Sequence, residues 1–128
     1  MTDKVRYWVE LSDYDLDTAQ AMLETRRYLY VGFMCHQVIE KILKAYWSKV
    51  LVEPPLRIHH LSRLAAKPGL IDELSEGQLN FIDSLEPLNI EARYPSYKEQ
   101  LMKVLTQEYC SDLIDKTKAF QLWIKDRL

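Results

Sequence analysis

The sequence is poor in the residues that interrupt helices. Only 3 glycines and 5 prolines occur among 128 residues, and the apolar residues recur at intervals of three and four rather than two. This pattern indicates helices and excludes a fold built mainly of strands. The length suits one domain of ordinary size, so we predict a single all-α domain over residues 1–128.

The small number of cysteines, the near-neutral charge and the lack of long apolar runs argue against several kinds of site and partner. Cysteine occurs twice, at Cys35 and Cys110, with no CxxC pair and no histidine at metal-ligand spacing, so no disulfide framework, metal site or cofactor is expected. The 17 basic and 19 acidic residues give a net charge of -2, which argues against general nucleic-acid binding. No run approaches the ~20 apolar residues of a membrane span. We therefore expect a soluble, cytoplasmic protein that does not bind membranes.

The periodicity predicts an up-and-down four-helix bundle with an additional short helix. The predicted segments are a first helix from Asp3 to Arg26, a second from Tyr28 to Val52, a short helix from His59 to Ala66, a fourth that starts at Ser75, and a last helix from Thr106 to Arg127. Ser75 and Gln78 have the spacing of a capping box, and Thr106 can cap the last helix. Pro87 should kink or divide the fourth helix, because proline lacks an N–H donor. After Pro95 the periodicity is weaker.

The second helix is predicted to lie at the centre of the bundle, because it is apolar nearly all round. Its polar residues form one stripe of Gln37, Glu40, Lys41, Lys44 and Ser48. The first helix has an apolar face of Val5, Trp8, Leu11, Leu16, Ala19, Met22 and Leu23. The last helix should turn Tyr109, Leu113, Phe120, Trp123 and Ile124 inward.

Asp15 falls in the middle of the apolar face of the first helix. An unpaired carboxylate in a core costs several kcal/mol, so Asp15 must reach water, a helix end or a cation. We expect Arg93 or Lys44 to be that cation; the alternative is that the face opens locally and Asp15 is hydrated.

The segment "NIEARYPSY" places Arg93, Tyr94 and Pro95 directly after a predicted helix. The guanidinium of Arg93 can clamp a carboxylate or receive an anionic ligand, and we favour the structural clamp. Tyr94 is expected to be a half-buried aromatic side chain rather than a nucleophile.

His60 and the pair of Glu40 and Lys44 can each have a structural or a functional role. His60 stands near the start of the short helix, where it can be a neutral base or, more commonly, a capping or packing residue. Glu40 and Lys44 have the favourable i,i+4 order of a solvated pair on a helix surface, although a stripe that also holds Lys41 could face a nucleotide.

Four segments together resemble a known family. "DYDLDTAQAML", "FMCHQVIEKILKAYW", "RIHHLSRL" and "NIEARYP", in this order, look like the prokaryotic HEPN domain, and the similarity covers nearly the whole chain. The residues that match recurrent positions of that family are Asp15, Glu40, Lys41, Lys44, His60, Arg93, Tyr94 and Pro95.

The resemblance implies a four- or five-helix bundle that commonly forms dimers, often beside a minimal nucleotidyltransferase in a two-component, toxin–antitoxin-like system. Many such proteins are metal-independent ribonucleases that use an arginine followed four to six residues later by a histidine. No arginine stands at that distance before His36, His59 or His60; Arg57 is too close and Arg27 too far. The resemblance therefore implies a polar pocket or interface rather than RNA cleavage.

Three functions remain open at this stage. The first is a non-catalytic binding module, a homodimer that is the partner subunit of a minimal nucleotidyltransferase and that could bind a nucleotide, with Asp15, Glu40, Lys41, Lys44, His60, Arg93 and Tyr94 as its binding residues. The alternative is a divergent, dimeric ribonuclease that acts on RNA through Arg57, His60 or Arg93. The third is a self-associating scaffold. Neither substrate nor partner is visible in the sequence.

Overall fold

The structure is a computed structural model that describes residues 1–90, without the side chain of Ile90, and residues 94–128. Within those residues all regular structure is helical, which confirms the predicted all-α class. The elements are α1 (Asp3–Glu24), α2 (Tyr28–Val50), α3 (Leu61–Ala66), a 3-10 helix (Leu70–Glu73), α4 (Glu76–Ile90), α5 (Pro95–Val104) and α6 (Gln107–Lys125).

Helix α2 lies at the centre of the bundle, as its composition predicts. It packs against α1, α3, α4, α5 and α6 and contributes the largest share of the core. Gly32 allows a close approach to α4, because a Cβ atom there would lie 3.3 Å from Leu88 Cδ1. The fully buried side chains of α2 include Val31, Cys35, Val38, Ile39, Ile42, Ala45 and Trp47.

The helix starts follow the predicted capping residues. The hydroxyl of Ser75 accepts from Gln78 N at 3.1 Å, and Gln78 Oε1 accepts from Ser75 N at 2.9 Å, so the capping box is formed. Thr106 Oγ1 accepts from Tyr109 N at 3.2 Å. Each contact satisfies a backbone donor that has no partner within its helix. These local signals were sufficient to locate the starts of α4 and α6.

Three local features differ from what the sequence pattern indicates. Helix α4 continues through Pro87 to Ile90, so of the two predicted effects of this proline, a kink or a division, the division is wrong. The run after Pro95 forms the regular helix α5, although none of its residues is buried. Tyr109 stands on the outer side of the first turn of α6 and is exposed, so its predicted inward position is wrong. Neither the helical geometry of α5 nor the exposure of Tyr109 could be predicted from periodicity alone.

The segment between α2 and α3 leaves the bundle and returns over it. Helix α2 ends at Val50, two residues earlier than predicted, and Pro54 and Pro55 prevent its continuation. The indole N–H of Trp47 donates to Glu53 O at 2.9 Å, which holds this segment against the end of α2. The chain then reaches His59 beside the middle of α2 and enters α3 at Leu61.

Candidate functional site

A group of polar side chains lies along one side of α2, where α1, α4 and the segment before α3 meet it. We call this group, which comprises Asp15, His36, Gln37, Glu40, Lys41, Lys44, His59 and Asn89, the polar cluster. Its members on α2 recur at intervals of three and four, so the helix presents them on one face. Of the stripe predicted from the sequence, Gln37, Glu40, Lys41 and Lys44 therefore belong to this largely covered site, and Ser48 does not.

Glu40 is the centre of the polar cluster. Its carboxylate is 2% exposed and accepts from Lys44 Nζ at 3.1 Å, and from His59 Nδ1 at 2.8 Å. The expected solvated pair on the helix surface is therefore wrong, since Lys44 is itself only 7% exposed. The i,i+4 contact is present as the spacing predicts, but the segment around His59 and helix α1 cover the pair. A buried ion pair of this kind is costly to break, because the remaining charge is left without compensation.

Lys44 is also held from the side of α1. Its ammonium lies 5.3 Å from the centroid of the Trp8 ring, within the range of a cation–π contact. Glu40 and Trp8 together fix the charged end of this side chain between α1 and α2. Lys44 is consequently not available to Asp15.

Asp15 is paired with Lys41. Asp15 Oδ2 accepts from Lys41 Nζ at 2.9 Å, so the expectation that Lys44 is its partner is wrong. Arg93, the other expected partner, lies outside the described residues. Lys41 also donates to Gln37 Oε1 at 2.7 Å, and Gln37 Nε2 donates to Asn89 Oδ1 at 3.0 Å. This chain of contacts connects α1, α2 and α4.

His36 completes the polar cluster and was not among the site residues predicted from the sequence. The ring is fully buried, with Nδ1 3.9 Å from Glu40 Oε1, and neither ring nitrogen has a hydrogen-bond partner among residues 1–90 and 94–128. Burial lowers the pKa of His36 to about 4, against the opposing effect of the Glu40 carboxylate. The ring is therefore neutral near pH 7. Its position one turn before Glu40 on the polar stripe is the signal that could have identified it.

The other predicted site residues do not join the polar cluster. His60 caps α3: its Nδ1 accepts from Arg63 N at 3.4 Å and from the hydroxyl of Ser62 at 3.1 Å. Of the roles predicted for His60, the structure therefore shows the capping role. Arg57 is exposed in the segment before α3. Tyr94 is 57% exposed, so the expected half-burial is wrong, and its ring meets that of Tyr97 edge-on, 6.3 Å away between centroids.

A second buried polar contact joins α1 to α6 and was not predicted. The amide of Gln121 donates to Ser12 Oγ at 2.9 Å and to Asp13 Oδ1 at 3.0 Å, and Ser12 Oγ donates to Val38 O at 2.8 Å. Lys125 adds an ion pair to Asp13. These bonds satisfy polar groups inside the bundle and fix the relative positions of three helices.

The part of the chain that the structure describes contains no set of side chains suited to bind a metal ion. No group of three histidine, cysteine, aspartate or glutamate side chains has an arrangement suited to a cation there. In the same residues no helix is long and apolar enough to span a bilayer.

Comparison with known proteins assigns the fold and the family. The model of the HEPN domain family matches residues 5–127. The crystal structure of TT1696 from Thermus thermophilus has a TM-score of 0.83 to this chain, with 19% identity, and the match covers 99% of this chain and 100% of that one. At that identity the likeness concerns the fold alone. No curated protein matches the chain. Because the family model spans almost the entire sequence, the chain belongs to the HEPN domain family.

Proposed function

We propose that this protein is a non-catalytic HEPN binding module, a homodimer that serves as the partner subunit of a minimal nucleotidyltransferase in a two-component, toxin–antitoxin-like system. The setting is cytoplasmic, where the buried thiols of Cys35 and Cys110 would stay reduced. Membership of the HEPN family supports the general role. The identity of the partner rests on the resemblance in sequence.

One observation carries the non-catalytic part of the proposal. The charged side chains of the polar cluster satisfy one another: Lys41 is paired with Asp15, and Lys44 with Glu40. A ribonuclease needs a base within reach of the attacking hydroxyl and a cation free to receive the phosphate. In the polar cluster these groups are engaged in holding helices together. The missing arginine–histidine spacing leads to the same conclusion independently.

The homodimer is supported by apolar side chains on the surface. Large hydrophobic residues that are at least 40% exposed include Tyr7, Tyr14, Val50, Val52, Tyr94, Val104 and Leu122. Clusters of such residues on a small protein commonly mark interaction surfaces. Sedimentation at micromolar concentration is expected to give a dimer, and a species of 15.2 kDa would contradict it.

The test of the partner role is co-expression with a minimal nucleotidyltransferase encoded in the adjacent reading frame. We expect a complex that survives size-exclusion chromatography. Absence of such a reading frame, or elution of the two proteins apart, would remove the basis of the proposal.

The test of the non-catalytic role is incubation with labelled single-stranded RNA. We expect no cleavage by the wild-type protein. Cleavage that is lost in both Arg57→Ala and His60→Ala would establish the ribonuclease alternative instead.

Nucleotide binding is tested by calorimetric titration with ATP. Lys41 lies at the more open edge of the polar cluster, with 17% of its side chain exposed. Binding by the wild type that falls in Lys41→Met but persists in Lys118→Met, on the exposed outer side of α6, would place the phosphate at this edge. Equal binding by both variants would place it elsewhere.

A further inference from the structure

A second charged region lies at the N-terminal end of α2, where the turn between α1 and α2 faces α5. The cavity there has a volume of about 250 Å³, and its charged lining consists of Arg26, Arg27 and Lys98. No carboxylate contributes to the lining, and none within the described residues forms an ion pair with these three cations. We call this region the basic cleft. It is positive on a chain whose net charge is -2.

The two arginines occupy positions where other residues would suit the backbone better. Helix α1 ends in a Schellman motif: Arg27 N donates to Met22 O at 2.8 Å, and Arg26 N donates to Leu23 O at 3.1 Å. Arg26 has a φ of 61°, the left-handed conformation in which glycine is usual. Arg27 stands where an apolar residue commonly packs back on the helix. Helix termination alone therefore does not account for this pair of side chains in the basic cleft.

Apolar side chains make up the rest of the basic cleft. Tyr30 and Met102 line it and are 56% and 60% exposed. Arginine, tyrosine and methionine are among the types enriched at protein–protein interfaces, and arginine and tyrosine are frequent hot-spot residues. Among the residues that the structure describes, the basic cleft thus combines cations that form no ion pair with exposed apolar side chains.

Two other occupants fit this surface less well. A second copy of the chain related by a two-fold axis through this surface would contribute the same patch, so that cations would approach cations. A small anion would neutralise the cations but leave Tyr30 and Met102 exposed. The volume is also below the ~300–1,000 Å³ of pockets that enclose small molecules.

We propose that the basic cleft is the docking site for an acidic segment of a partner protein, whose carboxylates meet Arg26, Arg27 and Lys98 and whose apolar side chains cover Tyr30 and Met102. The site lies apart from the polar cluster. The inference rests on the proposed function only in requiring a protein partner, and it adds where that partner binds and what its segment is made of.

The experiment uses the full chain and a short fluorescein-labelled peptide in which glutamate alternates with leucine and phenylalanine. Fluorescence anisotropy is expected to show binding that weakens as ionic strength rises, because solvent-exposed charge pairs are screened. The same peptide with glutamine in place of glutamate is expected to bind at least about tenfold more weakly. Equal binding by the two peptides would overturn the proposal.

The protein variants separate binding from folding. Arg26→Gly removes one charge and supplies the residue that the turn prefers, so the fold is preserved. Combined with Arg27→Gln and Lys98→Gln, it is expected to weaken peptide binding about tenfold or more, whereas Lys118→Gln on α6 leaves binding unchanged. A triple variant that binds like the wild type would overturn the proposal.

Two further results would also overturn it: displacement of the peptide by ATP or inorganic phosphate at comparable concentration, and loss of self-association in the triple variant. The first would identify a small-anion site and the second an interface between copies. If the nucleotidyltransferase binds the wild type and the triple variant equally well, only the docking site is wrong. If it binds neither and the peptide still binds, only the proposed partner is wrong.

Discussion

The polar cluster and the basic cleft contain similar residue types in opposite circumstances. In the polar cluster Lys44 is buried against Glu40, and the half-buried Lys41 is paired with Asp15. In the basic cleft Arg26 and Lys98 are exposed, without a carboxylate among the described residues to pair with them. Paired charges inside the bundle hold helices together, whereas the cations of the basic cleft lie beside exposed apolar surface, where we propose that a partner binds. A comparison of the two regions therefore contrasts charges that stabilise the fold with charges that have a proposed role in binding.

The largest effect is expected from removal of the buried amine. Lys44→Met keeps most of the volume but leaves the Glu40 carboxylate without its cation, so the free energy of unfolding should fall by ~3–5 kcal/mol. Urea denaturation measures it. The double variant with Glu40→Gln should recover part of the loss, because the two side chains are in direct contact. A loss below about 1 kcal/mol would show that the pair is hydrated rather than buried.

The next largest effect is the pH dependence of stability that His36 causes. Its pKa in the folded protein is lowered from 6.5 to about 4, so the folded state binds fewer protons than the unfolded state between these values. The free energy of unfolding therefore has its full value above about pH 6.5. It decreases as the pH falls toward about 4, by roughly 3 kcal/mol in total.

Urea midpoints at successive pH values, with the ring proton signals of His36 followed by NMR, test this effect. The control is His60→Asn, which keeps a capping acceptor for α3 and should retain the same pH dependence. A His36 ring that titrates near its ordinary pKa would contradict the burial on which the prediction depends.

A smaller effect is expected at the edge of the polar cluster. Lys41→Met removes the partner of Asp15, whose side chain is 13% exposed and can recover some hydration. The free energy of unfolding should fall by about 1.5–3 kcal/mol, the range for a hydrogen bond to a charged group. Thermal or urea unfolding beside Lys44→Met provides the comparison. A Lys41 variant less stable than the Lys44 variant would reverse the order of burial that we assign to the two pairs.

The smallest effect on stability is expected in the basic cleft. Arg26→Gly removes the strain of a non-glycine residue in the left-handed conformation, but it also increases the entropy of the unfolded chain. Because these two contributions nearly cancel, the free energy of unfolding should change by no more than about 1 kcal/mol. Peptide binding should fall in the same variant. A large loss of stability would show that the guanidinium of Arg26 has a structural role, and the contrast between the two regions would then fail.

Much of the fold was accessible from local sequence, and the errors have a common origin. The capping residues and the scarcity of glycine and proline predicted the main helices, because these signals act within a few residues. The weak periodicity after Pro95 concealed α5, which is helical but contributes no buried residue. Pro87 was predicted to kink or divide the fourth helix, but α4 is not divided there and continues to Ile90.

The sequence by itself determined the helical class, the polar stripe on α2 and the likeness to the HEPN family. Only the tertiary structure decided that Asp15 pairs with Lys41 and that Glu40 is buried beneath His59. Helical spacing states which side chains share a face, but burial and pairing depend on which other segment covers that face. The basic cleft is likewise a product of the tertiary structure, since Arg26 and Lys98 are 72 positions apart and meet only because α5 folds back over the turn between α1 and α2.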